Sequence, residues 1–204
     1  MATYSPSKLG TFESCPLMFK FRYIDKIKVE VTDTVETFLG SRVHDTLEKL
    51  YKDLKFQKTN TLQQLLDFFE EIWEKNWNDN IIIVRENIDK SNWKQMGVKF
   101  ITDYYNKYKP FDQEQTIDIE KSIFFPLDET KQFNLRGYID RLASKKDGTY
   151  VIHDYKTSGT LPEIKYIEKD RQLALYALAI KNSYIDCSKV EVAWHYLAFD
   201  KEIR

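Results

Sequence analysis

A chain of 204 residues, 42% apolar and 31% charged, is long enough to bury one sizeable core without disulfide or metal staples. Its formal net charge of −1 and pI near 6.3 give no global electrostatic case for nucleic acid, so any such contact has to use local patches. No window reaches the roughly 18 apolar residues of a membrane span and the N-terminus lacks a signal-peptide pattern, so a cytoplasmic protein with no membrane partner is expected.

Ser5-Pro6 predicts a helix start, with Ser as N-cap and Pro at the first helical position, and Cys15-Pro16 closes it. The aromatic and basic run from Leu17 to Ile24 is expected to pack against the core, and residues 25–37 read as a loop. Val43, Leu47, Leu50 and Leu54 recur at helical spacing and predict a helix from about Phe38 to Leu54, with His44 beside the buried stripe. Gly40, one turn earlier, is expected to let another backbone approach closely. Two further helices follow, one through Leu62 to Trp77 and one through Trp93 to Tyr108, ended by Pro110. Their aromatic stripes are read as core, and the Asn- and Asp-rich stretch Asn76–Asn92 between them as mobile. From Gln115 the period changes to two and predicts a strand to about Phe125, with Ile117, Ile119 and Lys121 on one face and Asp118, Glu120 and Ser122 on the other.

Leu135–Ala143 and Thr149–Lys156 are rich in β-branched and aromatic residues and flank an Asp-Gly turn, which predicts a hairpin folding about Asp147. That register sets Asp140 opposite Asp154, with Lys156 two residues on along the same face. Like charges so placed are destabilising. Either a hard divalent cation lies between the acids, or Lys156 or Arg141 neutralises them on an exposed face. A helix from about Glu168 to Lys181, with Gln172 and Tyr176 on one face, and a last strand over Val190–Phe199 complete the pattern. Helices, three strands, a helix and a strand make an α/β protein, with helices packed on a central mixed sheet.

GSRVH (Gly40–His44), GYIDR (Gly137–Arg141), DYKT (Asp154–Thr157) and QLALY (Gln172–Tyr176) occur in that order. Each is weak alone, but the ordered set resembles the PD-(D/E)XK nuclease superfamily, in particular its RecB-like branch of helicase–nuclease domains and CRISPR-associated iron–sulfur exonucleases. The opening YSPSKLGTFESCP is also similar to the start of those domains. The resemblance implies one restriction-endonuclease-like domain over 1–204, with a helical insertion at about 38–110 and a catalytic sheet core at about 115–200. It implies His44, Asp140 and Asp154 as metal ligands together with the Tyr155 carbonyl, Lys156 as catalytic lysine, and Gln172 and Tyr176 as DNA-positioning residues. Glu120, on the preceding strand, is a weaker candidate. Mg²⁺ or Mn²⁺ is the implied cofactor and DNA the implied partner, alongside a helicase or other subunit.

The chemistry asks for the same residue types. Phosphodiester hydrolysis needs an activated water, neutralisation of phosphoryl charge and help for the leaving oxygen, which carboxylate-held divalent ions and a lysine supply. An exonuclease of repair, recombination or defence, leaving 5′-phosphate and 3′-hydroxyl ends, is the expectation. A non-catalytic DNA-binding or scaffolding module and a phosphoesterase of small substrates are the alternatives. The clusters Lys52/Lys55/Lys58, Lys145/Lys146 and Lys165/Lys169/Arg171 are the basic patches on offer, and His153 and His195 are read as structural. Cys15 and Cys187 are two thiols where an iron–sulfur cluster needs four, so no cluster is expected from this chain. Either the cluster is absent from this lineage, or a C-terminal segment with the remaining ligands is missing.

Overall fold

A computed structural model of the chain describes residues 2–27, 33–85, 87–163 and 171–204. Among them, six strands form one sheet: β1 (Ala2–Tyr4), β2 (Gln115–Pro126), β3 (Phe133–Ser144), β4 (Thr149–Lys156), β5 (Lys189–Tyr196) and β6 (Lys201–Ile203). The order is β1-β3-β4-β5-β6, with β2 also on β3. The β1–β3 and β4–β5 pairs are parallel and the others antiparallel, so the sheet is mixed, as expected.

One side of the sheet carries a helical lobe of α3 (Val35–Lys55), α4 (Leu62–Asn76) and α5 (Lys90–Tyr108). Each begins where a side chain caps it. Thr34 Oγ1 accepts from the Thr37 amide at 3.4 Å, and capping boxes at Thr61/Gln64 and Asp89/Asn92 start the other two. The predicted stripe Val43, Leu47 and Leu50 is buried, and it meets Phe69, Trp73, Ile101 and Tyr104 from α4 and α5. The opposite side carries α6 (Arg171–Ser183), whose Leu173, Tyr176 and Ile180 pack on Leu135, Ile139, Leu142 and Ile152. The predicted start of this helix at Glu168 lies outside the described residues, as do Lys165 and Lys169.

The hairpin has its predicted register. Ser144 pairs with Tyr150 and Arg141 with His153, around a turn in which Gly148 takes φ +79. Other expectations need correction. After α1 (Pro6–Ser14), the run beyond Cys15 forms α2 (Pro16–Phe19) and a π-helical turn (Lys20–Ile24), yet Leu17, Met18, Phe21 and Ile24 remain exposed. Only Phe19 and Tyr23 turn inward, toward the Lys8 ammonium. Within the stretch between α4 and α5, Ile81 is buried, and Ile82 exchanges backbone hydrogen bonds with Asp33 and Val35. The last predicted strand ends at Tyr196, where a 3₁₀ turn over Leu197–Phe199 redirects the chain into β6. Its period-two pattern continues through a turn stabilised by burial of Leu197, which periodicity cannot distinguish from strand.

The strict alternation expected along β2 also breaks. The register shifts between Thr116 and Asp118, and Glu120 takes φ +48. Consequently Ile119 packs with the helical lobe, whereas the Lys121 ammonium lies 5.7 Å from the Tyr184 ring beside α6. The paired strand β3 switches likewise. Ile139 sits in the α6-side core, and Arg141, two residues on, holds its guanidinium 4.0 Å from the Tyr51 ring centroid on the other side.

Candidate active site

The two strands change sides at Glu120 and Asp140, and α3 crosses that point with His44 facing it. One donor atom from each of His44, Glu120 and Asp140 lies within 4.8 Å of the other two. His44 Nδ1 is 3.7 Å from Asp140 Oδ2, and His44 Nε2 donates to the Tyr155 carbonyl at 2.9 Å. Asp140 Oδ2 in turn accepts the Tyr155 amide at 2.8 Å. The described β3–β4 pairing stops at Arg141–His153, so the aspartate side chain meets a backbone donor that the ladder leaves over. Gly40 lets α3 sit close to the end of β4. A Cβ there would lie 3.0 Å from Thr157 Oγ1, so the neighbour is a side chain and not the backbone.

A second group adjoins the first. Asp154 is buried, and its Oδ2 is 2.7 Å from the Lys156 ammonium while Oδ1 accepts from Gln172 Nε2 at 3.3 Å. Arg141, the other cation considered for the acids, points away and faces Glu114. Tyr176 is buried beneath Gly137. A Cβ on that glycine would come within 2.4 Å of the Tyr176 hydroxyl, so only glycine lets the α6 tyrosine support β3 here.

Electrostatics link the two groups. Burial pushes the Asp154 carboxyl up to about 6; Lys156 pulls it back and the Asp140 charge adds to the rise. Glu120 is raised above the ordinary range by partial desolvation, then by the Asp140 and Glu48 carboxylates, against His44 and Lys52. Glu120 also holds a left-handed backbone conformation, which for a non-glycine costs on the order of 1 kcal/mol or more. Crowded carboxylates with raised pKa values favour a nearby cation, which would offset their mutual repulsion. The donor set fits a hard divalent ion: two carboxylates and an imidazole converge, and the Tyr155 carbonyl lies beside the imidazole nitrogen.

Of the residues singled out from the sequence, His44, Asp140 and the Tyr155 carbonyl thus meet. Asp154, Lys156 and Gln172 form the adjoining group, and Glu120, the weaker candidate, belongs to the tight trio. Glu48 adds to the negative field and is ion-paired with Lys52. Its position four residues after His44 on one helix was the available signal. Cys15 and Cys187 are half-buried free thiols, and among the described residues no helix is long and apolar enough to cross a membrane.

No relative among the curated proteins matches the chain. The model of the PD-(D/E)XK nuclease superfamily matches residues 3–203, nearly the whole length, and the chain belongs to that superfamily.

Proposed function

We propose that this protein is a DNA nuclease of the RecB-like branch, using Mg²⁺ or Mn²⁺ to hydrolyse phosphodiester bonds from strand ends in repair, recombination or defence. The observation that carries the reading is the convergence of His44, Glu120 and Asp140 within 4.8 Å, in a chain whose superfamily is one of metal-dependent nucleases. A divalent ion bound there would acidify a water and offset the negative charge that develops on the phosphoryl group. In this reading His44, Asp140, Asp154 and the Tyr155 carbonyl hold the ion, with Glu120 as a further carboxylate.

The protein's own groups do the rest. The Tyr155 amide fixes the Asp140 carboxylate, and Gln172 fixes Asp154. Lys156, partly exposed beside Asp154, directs its ammonium at the attacking water and the phosphoryl oxygens. Water oxygen bonds to phosphorus as the bond to the 3′ oxygen breaks. That oxygen takes a proton, and the products are a 5′-phosphate and a 3′-hydroxyl. Gln172 and Tyr176 act on the DNA through Asp154 and Gly137.

The test is a Mn²⁺ and Mg²⁺ titration on single-stranded and duplex DNA, with Lys156→Ala and Asp140→Ala as controls. Either change is expected to lower cleavage by about 10²-fold or more, the usual loss when one transition-state contact is removed. Equal cleavage by wild type and both variants would assign the activity to a contaminant. No cleavage by folded wild type with either ion would favour a non-catalytic DNA-binding module.

A further inference from the structure

Most described members of the basic clusters picked out from sequence are engaged within the chain. Lys52 pairs with Glu48 and Lys58 with Asp53, Lys55 reaches the Ile117 carbonyl, and Lys145 pairs with Glu191 at 2.5 Å. Arg171 pairs with Glu13. Among the described cations that have no carboxylate partner, Lys8 and Arg136 stand apart by position: Lys8 reaches the Thr3 carbonyl and Arg136 the Tyr138 hydroxyl. Both line one open groove of about 490 Å³, together with Tyr4, Tyr138, Gln172 and Tyr176.

The groove exists because the sheet is split. Along one edge of β3, pairing with β1 ends at Leu135 and pairing with β4 begins at Arg141. Between them that edge has no strand neighbour among the described residues. The gap leads to Asp140 at one end, and Gln172, which lines the groove, hydrogen-bonds Asp154. On the exposed face of β3 and β2, opposite buried Leu135 and Ile139, Tyr138 is 48% and Phe124 62% exposed, and Phe124 pairs across the ladder with Arg136. The Arg136 guanidinium donates to the Tyr138 hydroxyl at 2.8 Å, which steadies the ring. Lys8 lies 4.9 Å from the Tyr4 ring centroid on the facing wall.

We propose that this groove is the binding track for one unpaired nucleic-acid strand running into the active site, with Tyr138 stacking a base and Lys8 and Arg136 neutralising phosphates. It rests on the nuclease reading and narrows its substrate to single strands or frayed ends. The aromatic faces argue for this, because duplex bases stack on one another and leave no face free for Tyr138. The cations match the backbone charge.

The test measures anisotropy of a fluorescein-labelled deoxythymidine oligomer and of a blunt duplex of equal length, with EDTA present so that binding is read without cleavage. Tyr138→Ala is expected to weaken single-strand binding about 5- to 100-fold, the range for loss of one stacking contact, while duplex binding changes by less than about twofold. Tyr138→Phe should retain the affinity. Arg136→Ala and Lys8→Ala should each lower the salt slope by about 0.7, one phosphate contact on a single strand. Wild-type affinity in Tyr138→Ala, or equal losses on both substrates, would overturn the track. A wild type that binds through Tyr138 but never cleaves would sink the nuclease reading and keep the groove; cleavage with binding indifferent to Tyr138 would do the reverse.

Discussion

Two places in this molecule bring histidine and carboxylate together, and they behave oppositely. Beneath the helical lobe, His153 and His195 are stacked with ring centroids 5.1 Å apart, and His153 Nδ1 is 2.8 Å from His195 Nε2. Glu114 Oε2 is 2.6 Å from His153, Arg141 and Arg204 bracket that glutamate, and Tyr108 joins His195 to Glu202. Acids here meet guanidinium groups or a phenol, and the two imidazoles are buried. Around Asp140 the arrangement is open, acid faces acid, and Glu120 bends its backbone into the left-handed region. The buried cluster is balanced by its own residues, whereas the open one has an excess of negative donors. Residue type alone therefore does not separate the two places; unbalanced charge at an accessible point does, and it is on this that the proposed site rests.

The contrast can be broken hardest at Glu114. Truncation to Ala would leave the buried Arg141 guanidinium without its carboxylate, and loss of about 3–5 kcal/mol of stability is expected in urea unfolding. A loss below about 1 kcal/mol would mean the cluster is not balanced by that pair. For the open site the corresponding manipulation is addition of metal. Mn²⁺ at about 100 times its Kd should raise wild-type stability by roughly 2.7 kcal/mol, seen as a higher Tm, and should do nothing for Asp140→Asn. An unchanged wild-type Tm would count against an ion site.

pH separates the two regions further. Burial, then the Arg141 and Arg204 charges, hold His153 well below its ordinary 6.5; burial and His153 do the same to His195. Below pH 6.5 the unfolded chain therefore binds more protons than the folded one, and stability falls as pH falls, by up to about 1.4 kcal/mol per histidine per pH unit. Asp154, raised to about 6, works in the opposite direction between its folded value and 3.8. The histidine contribution is read as wild type minus His195→Asn in urea unfolding between about pH 7 and pH 5. A difference independent of pH would show that the imidazoles do not resist protonation.

The smallest effect is expected at Glu120. Glycine is at ease at φ +48, so Glu120→Gly should stabilise the metal-free protein by up to about 1 kcal/mol while weakening Mn²⁺ binding. Destabilisation instead would deny that the residue stores strain for the site.

Most of the architecture was legible because its signals are local. The Asp-Gly turn and period-two flanks set the β3–β4 register, and the Val43/Leu47/Leu50 stripe marked the helix that carries His44. The place of Glu120 was not legible in the same way, because periodicity treats β2 as one continuous strand, while its backbone turns over at that residue. The apolar run after Cys15 misled, since hydrophobicity states a preference for burial and not whether a partner surface lies within reach.

By itself the sequence determined the motifs and their order along the chain, together with the hairpin and the helix types, which depend on residues within a few positions of one another. The tertiary structure alone decided that Glu120 joins His44 and Asp140, that Arg141 turns to Glu114 while Lys156 attends Asp154, and that the sheet opens between β1 and β4. The His44–Tyr155 contact spans 111 positions. Such meetings depend on how α3 docks across two kinked strands, and no local periodicity encodes where a backbone changes face.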